Sequence, residues 1–392
     1  MSAVGAEQSD AVRYALELAD LPTAAGREQR VVAWIERWVA ERAGLSLTRD
    51  GHGNLTVAIK GAPTDRPPVY LTAHLDHPAF VVDRVIGPGT VELAFRGGVM
   101  DRYFDNARVE LHPANGEPVE GVLVERDGPQ EPFKRFVCEL DDEAPGATVG
   151  DVARWALPAG AVEDGMLRVS ICDDLAAAAA ALAAMDNVLA KHAAGERVED
   201  LRLLFTRAEE VGFIGAIGAT TNDSIPRDAR LICLENSRAS DDAPIGGGPI
   251  VRVGDRISTF SPALTAAIAK RAEEVFGGPA TPRATQTAAD AGAWQRKLMA
   301  GGACEASVFC AHGYEATCVC LPLGNYHNMG ELDAVQAGAF DGTPPLMREE
   351  VAVADLEGMV ALLAACGTSL PAGGGFNDRL AKLWTDLSSV LD

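Results

Sequence analysis

The sequence predicts an α/β protein with a mixed, mainly parallel central sheet, helices on both faces of the sheet, and a small inserted β-barrel. From about residue 167 onward, short apolar strands alternate with helical segments, which is the pattern of a parallel sheet covered by helices. Between about Val82 and Arg168, short β-rich segments are separated by Gly, Pro and Asp, and no strong helical period appears. This pattern of short strands and turns is typical of a small β-barrel or β-sandwich.

The amino-terminal part predicts two helices followed by two strands. Helical periodicity covers about 10–18 and 28–43, and the turn residues at 22–26 separate the two. Residues 53–60 and 68–73 have strand character, and the second of these segments is almost wholly apolar, so we expect it inside a buried sheet. The inserted region then predicts strands at 90–95, 108–111, 121–125 and 136–140.

The main sheet resumes after the insertion. Residues 167–171 predict a strand that leads into a long alanine-rich helix from Asp174 to about His192. The later predictions are a strand at 201–206, a helix from about 212, a strand at 230–234, helices at 262–276 and 302–311, a strand at 316–321 and a closing helix at 351–366. We therefore divide the chain into a discontinuous main domain, 1–82 and 167–392, and an inserted domain, 83–166.

Composition and charge exclude several classes of function. Of 392 residues, 47% are hydrophobic, and the formal net charge is −22. This charge argues against binding nucleic acid, which needs clustered Lys and Arg, and against an anionic membrane surface. The longest apolar run is too short to span a membrane. The eight cysteines lie in apolar runs, which is typical of free thiols in a reducing compartment, so we expect a cytoplasmic protein.

His74 and Asp76 follow the apolar strand 68–73, and strand alternation places their side chains on the same side. A metal-binding histidine usually donates its second ring N–H to a carboxylate, and Asp76 is placed to accept it. On this spacing alone, a loop histidine that lies near an aspartate by chance is the more frequent explanation. His77, directly after Asp76, is the other histidine in this segment that could belong to the site, but we expect it to have a structural role.

Asp173 and Asp174 lie between the strand 167–171 and the alanine-rich helix. Two carboxylates at a helix start are commonly only a cap, because the helix dipole favours negative charge there. The functional alternative is that Asp173 bridges two metal ions while Asp174 caps the helix.

Glu209 and Glu210 stand between the apolar strand 201–206 and the start of an apolar helix. One carboxylate of such a pair can bind a metal while its neighbour handles a proton. A metal-activated water must lose a proton to attack a carbonyl, and a nearby glutamate can accept this proton and pass it to the leaving amine. We assign Glu210 as the metal ligand and Glu209 as the general base.

Glu235 and His327 complete the set of candidate ligands. Glu235 directly follows an apolar strand and needs a partner if it is buried, although an exposed strand-end carboxylate is about as frequent. His327 lies in a loop after the strand 316–321, where a lone histidine is usually only polar surface. The five candidate ligands are two histidines and three carboxylates. This combination suits zinc, with cobalt or manganese as alternatives.

Three segments carry a resemblance to a known family. Thr72-Ala-His-Leu-Asp76 resembles an Ala-His-Met-Asp motif, and Cys172-Asp-Asp-Leu-Ala176 resembles Asp-Asp-Arg-x-Gly. The segment 206–216 is most similar, to Glu-Glu-Val-Gly-x-x-Gly-Ala. In this order they resemble the co-catalytic di-zinc aminopeptidases, in particular the tetrahedral and glutamyl-aminopeptidase branch. The insertion between His74 and Asp173 favours this branch over compact aminopeptidases, and the resemblance runs from about residue 18 to 370.

The resemblance implies a zinc-peptidase fold, two zinc ions and removal of the amino-terminal residue of short peptides. His74 and Glu235 would bind one ion, Glu210 and His327 the other, and Asp173 would bridge both.

The resemblance also assigns Glu209 as the base, and we count Asp76, for its predicted contact with His74, as a second catalytic residue. Glu305 replaces an aspartate of the family near the expected position of the substrate's amino end, so it is a candidate substrate-binding residue. The resemblance further implies homo-oligomers that assemble through the inserted domain, which would also control access to the site.

Several residues depart from the family pattern. Glu235 stands where the branch more often has Asp, and Asn-Met follows His327 in place of Ser-Pro, so we expect a divergent subgroup. A related di-zinc carboxypeptidase, dipeptidase or amide deacylase is an alternative, but its second domain typically enters after the Glu-Glu region. A non-catalytic binding protein is the other alternative, and competent side chains at all six ligand and base positions argue against it.

Overall fold

The computed structural model describes residues 8–126, 131–280, 293–373 and 375–391, and it has the predicted α/β architecture. The strands are β1 (Leu45–Arg49), β2 (Leu55–Ile59), β3 (Val69–His74), β4 (Ala79–Gly87), β5 (Thr90–Arg96), β6 (Arg108–His112), β7 (Val119–Arg126), β8 (Lys134–Leu140), β9 (Val152–Trp155), β10 (Ala161–Glu163), β11 (Met166–Val169), β12 (Leu201–Thr206), β13 (Arg230–Arg238), β14 (Ile250–Gly254), β15 (Gln295–Leu298), β16 (Glu315–Leu323) and β17 (Glu349–Ala352). The helices are α1 (Asp10–Ala19), α2 (Gln29–Ala40), α3 (Leu175–Ala193), α4 (Ile214–Thr221), α5 (Pro262–Phe276), α6 (Glu305–Ala311), α7 (Leu332–Gln336), α8 (Val353–Thr368) and α9 (Phe376–Leu387).

The main sheet has eight strands in the order β1-β2-β12-β3-β13-β16-β14-β15. Four of its seven neighbouring pairs are parallel, and they include the central run β12-β3-β13-β16. The other three pairs, β1-β2, β2-β12 and β14-β16, are antiparallel. The prediction of a mixed, mainly parallel sheet is therefore confirmed.

Helices cover both faces of this sheet, because alternate strand residues point in opposite directions. Val69 and Leu71 of β3 pack into one core with helices α1, α3, α5 and α8. Tyr70, between them, packs into a second core with α4 and α6. Every residue of β3 is buried, as its apolar sequence predicted.

A closed barrel of six strands, in the order β4-β5-β8-β7-β6-β9, runs from Ala79 to Trp155, so most of it lies in the predicted insertion. Its core is rich in aromatic rings, and Phe80 contacts Phe95 and Trp155 edge to face. The small strands β10 and β11 pair with β17 in a separate three-stranded sheet. The domain division at 82/83 and 166/167 stays a prediction.

Residues 329–347, which we call the post-histidine segment, connect His327 to β17. Met329, Leu332 and Val335 of this segment pack into the barrel core. The hydroxyl of Tyr103, from the barrel, donates to the carbonyl of Gly330 at 2.6 Å. The barrel is therefore packed directly against the chain that follows a candidate ligand.

Some elements differ from the sequence prediction. The closing helix was predicted from residue 351, but residues 349–352 form β17, because they pair with β11. Glu235 was predicted to end its strand, but β13 continues to Arg238, since its pairing with β16 continues to Leu323.

Among the described residues, no helix combines the length and apolar character that crossing a membrane requires.

Candidate active site

The candidate ligands converge at the carboxyl ends of the central parallel strands. His74 ends β3, Glu210 follows β12, and Glu235 lies on β13, and these three strands are neighbours in the sheet. Asp173 comes from the connection between β11 and α3, and His327 from the turn after β16. All five side chains are almost completely buried. The structure thus brings together residues that are up to 253 positions apart in the sequence.

Asp173 lies at the centre of the group. Its Oδ1 atom is 3.2 Å from Nε2 of His74, and its Oδ2 atom is 3.5 Å from Nε2 of His327. The same Nε2 atom of His327 is 3.4 Å from Oε1 of Glu210. Glu235 lies with Asp173 in a second group whose carboxylate oxygens are all within 4.8 Å of one another. The two oxygens of Asp173 therefore face different histidines, as a bridging ligand requires.

The two histidine rings are held with Nε2 toward this centre. Nδ1 of His74 is 3.1 Å from the carbonyl oxygen of Asp76, and Nδ1 of His327 is 2.7 Å from the carbonyl oxygen of Gly98 in the barrel. A carbonyl only accepts hydrogen bonds, so Nδ1 must carry the proton in both rings. The lone pairs on Nε2 are then available for a metal ion.

The site fits a metal ion in a second respect. Oδ1 of Asp173 and Oε1 of Glu210 are buried and lack a hydrogen-bond partner among the described residues, although histidine nitrogens lie nearby. A buried carboxylate oxygen without a donor is costly, and a cation removes that cost. Nitrogen and oxygen donors in this combination suit zinc, cobalt or manganese.

The electrostatic field of the site favours cations. Burial raises the pKa of Glu209 and of Glu235 well above the usual range of a glutamate. Burial alone would lower the pKa of His74, but the charge of Glu209 and the contact with Asp173 outweigh it and raise this pKa well above its usual value. The buried carboxylates therefore outnumber the histidines, and a bound cation would offset the cost of ionising them.

A sequence model of the M42 glutamyl aminopeptidase family matches residues 53–131 and 135–335, which is more than half of the chain. The chain belongs to the M42 glutamyl aminopeptidase family. This membership confirms the predicted family and the predicted class of enzyme, a metal-dependent aminopeptidase that hydrolyses peptide bonds.

Several solved structures similar to this M42 chain are archaeal peptidases. An aminopeptidase of Desulfurococcus kamchatkensis has a TM-score of 0.71 at 18% identity, covering 92% of this chain and 95% of that one. The TET1 peptidase of Pyrococcus horikoshii has a TM-score of 0.70 at 20% identity over 92% and 100% of the two chains, and it can assemble into a tetrahedron or a large octahedral shell. A TET aminopeptidase of a marine sediment thaumarchaeon has a TM-score of 0.69 at 19% identity over 92% and 96%. At identities of 18–20%, the similarity to these structures establishes the fold alone. No curated protein sequence matches the chain.

In this M42 site, Asp76 has a different contact from the predicted one. Its carboxylate oxygen is 3.6 Å from Nδ1 of His74, slightly beyond hydrogen-bond distance, and its backbone carbonyl contacts the ring instead. The carboxylate accepts the backbone N–H groups of Glu209 at 2.9 Å and Glu210 at 3.1 Å. Asp76 therefore fixes the turn that carries both glutamates.

The proposed base, Glu209, lies close to the ligand group. Its Oε2 atom is 3.9 Å from Nε2 of His74, and its residue is 8% exposed. Glu305, the candidate substrate-binding residue, begins α6 and is buried, with Oε1 unpartnered among the described residues. Burial raises the pKa of Glu305 to about 7, and the charge of His74 opposes this shift. Both carboxylates thus belong to the same buried site.

Asp174 does not have the predicted capping role. It is the N-cap residue directly before α3, but its side chain makes no cap hydrogen bond. Its Oδ1 atom accepts the Asn236 side-chain N–H at 2.8 Å, and its Oδ2 atom accepts the backbone N–H of His74 at 3.3 Å. Because these donors lie in the sheet, the carboxylate ties the start of α3 to β3 and β13.

Glu349 is a site residue that the sequence did not indicate. It is fully buried, and its Oε2 atom accepts the backbone N–H groups of Cys172 at 2.7 Å and Asp173 at 2.9 Å. Its Oε1 atom accepts the backbone N–H of His327 at 2.8 Å. One carboxylate therefore fixes the backbone of two candidate ligands. The only sequence signal was an acidic pair at the start of an apolar segment, which is common.

His77 supports the same part of the site. Its ring lies between the carbonyl oxygen of Asp173, at 2.6 Å, and the side-chain oxygen of Asn328, at 3.1 Å. The expected structural role of His77 is thus one of positioning a candidate ligand. In the sequence, only the position of His77 directly after Asp76 indicated that it could lie near the site.

Proposed function

We propose that the protein removes the amino-terminal residue of short peptides, using two divalent metal ions, most suitably zinc, with Glu209 as the general base. The observation that carries the proposal is the placement of Asp173, whose two oxygens face the Nε2 atoms of two different histidines. Cobalt or manganese would suit the same donors.

The proposed ligand sets are those that the family resemblance implies, and the contacts of Asp173 with both histidines support them. Asp173 would be shared, His74 and Glu235 would complete one set, and Glu210 and His327 the other. When bound, the two ions would polarise the scissile carbonyl and lower the pKa of the attacking water.

The chain itself supplies proton transfer and positioning. Glu209 takes the proton of the attacking water and delivers it to the leaving amine, which its burial beside His74 supports. Asp76 holds the backbone of the turn that carries the base, so a small movement there would misplace the proton acceptor. Glu305 is proposed to receive the positively charged amino end of the peptide, since its Oε1 atom is buried and has no hydrogen-bond partner among the described residues.

The proposed partners are peptide substrates and further copies of this chain. A homo-oligomer assembled through the barrel is supported by the shells reported for the TET1 peptidase of Pyrococcus horikoshii. We also propose a cytoplasmic location, with no nucleic-acid or membrane partner. The net charge of −22 and eight cysteines that are all free support this part of the proposal.

The test is hydrolysis of an aminoacyl-anilide panel by the purified chain, before and after removal of metal by a chelator. Release of amino-terminal residues that is lost on chelation and restored by metal supports the proposal. Hydrolysis only of carboxy-terminal peptide bonds or of N-acyl amino acids would instead assign a related carboxypeptidase or deacylase. If the metal-loaded protein hydrolyses none of these compounds, the proposed catalytic function is overturned.

A further inference from the structure

The carboxy-terminal helix α9 presents large apolar side chains to solvent. Leu380, Leu383, Trp384 and Leu387 are each between 44% and 66% exposed. Of the 17 large hydrophobic residues that are exposed in the described parts of the chain, six lie between positions 380 and 391. Exposed apolar residues that are concentrated in one place mark a surface that binds something. This face of α9 is therefore a candidate interaction surface.

Nothing in the described parts of the chain covers this helix. Every residue from Asp378 to Leu387 is exposed, and the hydroxyl of Thr385 donates to the carbonyl of Ala381 within the same helix. The helix has 12 residues. A helix of about this length is marginally stable in water unless its apolar face packs against a partner. The exposed face of α9 thus needs a partner from outside the described residues.

The spacing of the apolar residues indicates that this partner is another helix. Leu380 and Leu383 are three positions apart, Leu387 follows after four, and Val390 after three more. Steps of three and four residues are those of the a and d positions of a coiled coil, which form the seam between two helices. Trp384 lies at the adjacent e position, beside this seam.

The charges beside the seam make α9 complementary to a second copy of itself. Arg379 and Asp386 occupy the g positions. If two α9 helices pair in antiparallel orientation with Leu380 of each against Leu383 of the other, Arg379 of each lies opposite Asp386 of the other. Charged residues at these positions select the partner and its orientation. Neither residue has an ion-pair partner among those that the structure describes.

Other arrangements fit the sequence of α9 less well. In a parallel pair, g positions face e positions, so Arg379 would lie opposite Trp384 instead of an acidic residue. Helices that lie on anionic membranes are rich in Lys and Arg. The helix has two acidic and two basic residues, and the whole chain has a net charge of −22. A second copy of this chain is therefore favoured over a lipid surface.

We propose that α9 pairs with α9 of a second copy of this chain in an antiparallel coiled coil. The helix lies outside residues 53–131 and 135–335, which match the family model, so this contact belongs to the part of the chain that the family model does not cover. It is also separate from the barrel contact proposed above. Neither the proposed catalysis nor assembly through the barrel requires it.

The first test compares the wild-type protein with Leu383→Asp by sedimentation velocity over a range of concentrations. The substitution removes one leucine from the seam in each copy. It is therefore expected to raise the dissociation constant of the pair at least about 100-fold. Assembly through the barrel would persist in both proteins, so the difference between them reports on α9. Identical sedimentation of the two folded proteins, checked by circular dichroism, would overturn the inference.

Charge reversal tests the antiparallel orientation. Arg379→Asp and Asp386→Arg each replace two attractive pairs by two repulsive ones, so each should weaken the association about 4- to 30-fold. The double variant restores both attractive pairs and should recover the wild-type value. Lys382→Asp is the matched control, because it changes the net charge as Arg379→Asp does but lies at the c position, away from the seam. Failure of the double variant to recover, or equal weakening by Lys382→Asp, would contradict the proposed pairing.

Trp384 reports directly on whether the face is covered. It is 66% exposed, whereas Trp38, Trp155 and Trp294 are at most 3% exposed. Pairing should protect it, so acrylamide should quench tryptophan fluorescence more strongly in Leu383→Asp than in the wild type at the same concentration. Equal quenching would overturn the inference. So would binding of the wild type to vesicles of phosphatidylserine and phosphatidylcholine that Leu383→Asp abolishes without a change in mass, which would assign the face to a lipid surface.

Discussion

Replacing Glu349 by glutamine is expected to weaken metal binding about 10- to 100-fold while the chain stays folded. In the wild-type protein, the two carboxylate oxygens accept three backbone N–H groups, those of Cys172, Asp173 and His327. A glutamine has the same size, but one of its two ends is an NH₂ group. At least one buried N–H group would therefore face a donor instead of an acceptor.

The magnitude follows from that single lost contact. A hydrogen bond to a charged group contributes about 1.5–3 kcal/mol, and each 1.36 kcal/mol is a factor of ten. The backbone of His327 has φ of 54°, a left-handed conformation that a side chain rarely adopts without support. Without Glu349 this turn can relax, and metal binding must then restore it. The same range, about 10- to 100-fold, is typical of residues that hold metal ligands.

The assay is competition with a fluorescent metal chelator, together with circular dichroism to confirm folding. Glu350→Gln is the matched control, because Glu350 is adjacent but contacts Arg168 at the edge of the small sheet. Wild-type metal affinity in a Glu349→Gln protein that is merely less heat-stable would show that Glu349 only stabilises the fold. That result would refute the reasoning.

Three further predictions follow from the described contacts. Glu209→Gln should lower kcat by about 10²- to 10⁴-fold and leave the metal content unchanged, as measured by elemental analysis. Asp76→Ala removes the acceptor of two backbone N–H groups, so kcat should fall at least about tenfold although every ligand is retained. Burial lowers the pKa of His112 to about 4, with the charge of Arg154 acting in the same direction. The unfolded chain therefore takes up a proton between about pH 6.5 and 4 that the folded chain does not, and the unfolding free energy should fall by about 3 kcal/mol across this window. The unfolding free energy of His112→Gln, measured by urea denaturation, should not show this decrease.

The fold and the convergence of the candidate ligands could be predicted because they depend on local signals. An apolar strand followed by a polar side chain marks the carboxyl end of a parallel strand, as at His74 and Glu210, and such ends meet at one edge of the sheet. The bounds of β12 and α5 coincide with the predicted ones, since apolar periodicity and a start signal agree there.

The supporting contacts could not be predicted, because they join elements that are distant in the sequence. Glu349 lies 176 positions after Asp173 and contacts backbone groups, which carry no residue-specific signal. The carbonyl of Gly98 holds the ring of His327 from the barrel, 229 positions away. The contacts of Asp76 and Asp174 were misassigned for the same reason, since their donors, which are backbone N–H groups and the side chain of Asn236, are brought close only by the fold.

The post-histidine segment was also missed. Its helix α7 has five residues, too few for a clear helical period. Its apolar side chains pack on the barrel, so their burial depends on a domain more than 170 positions earlier in the chain. Met329, Leu332, Asp333 and Gln336 of this segment line a cavity beside Glu235.

The most direct test of the account is anomalous diffraction from crystals of the zinc-loaded protein, measured on both sides of the zinc absorption edge. The account predicts two peaks per chain, one among His74, Asp173 and Glu235 and the other among Asp173, Glu210 and His327. A single peak, or peaks that do not share Asp173, would contradict the proposed centre.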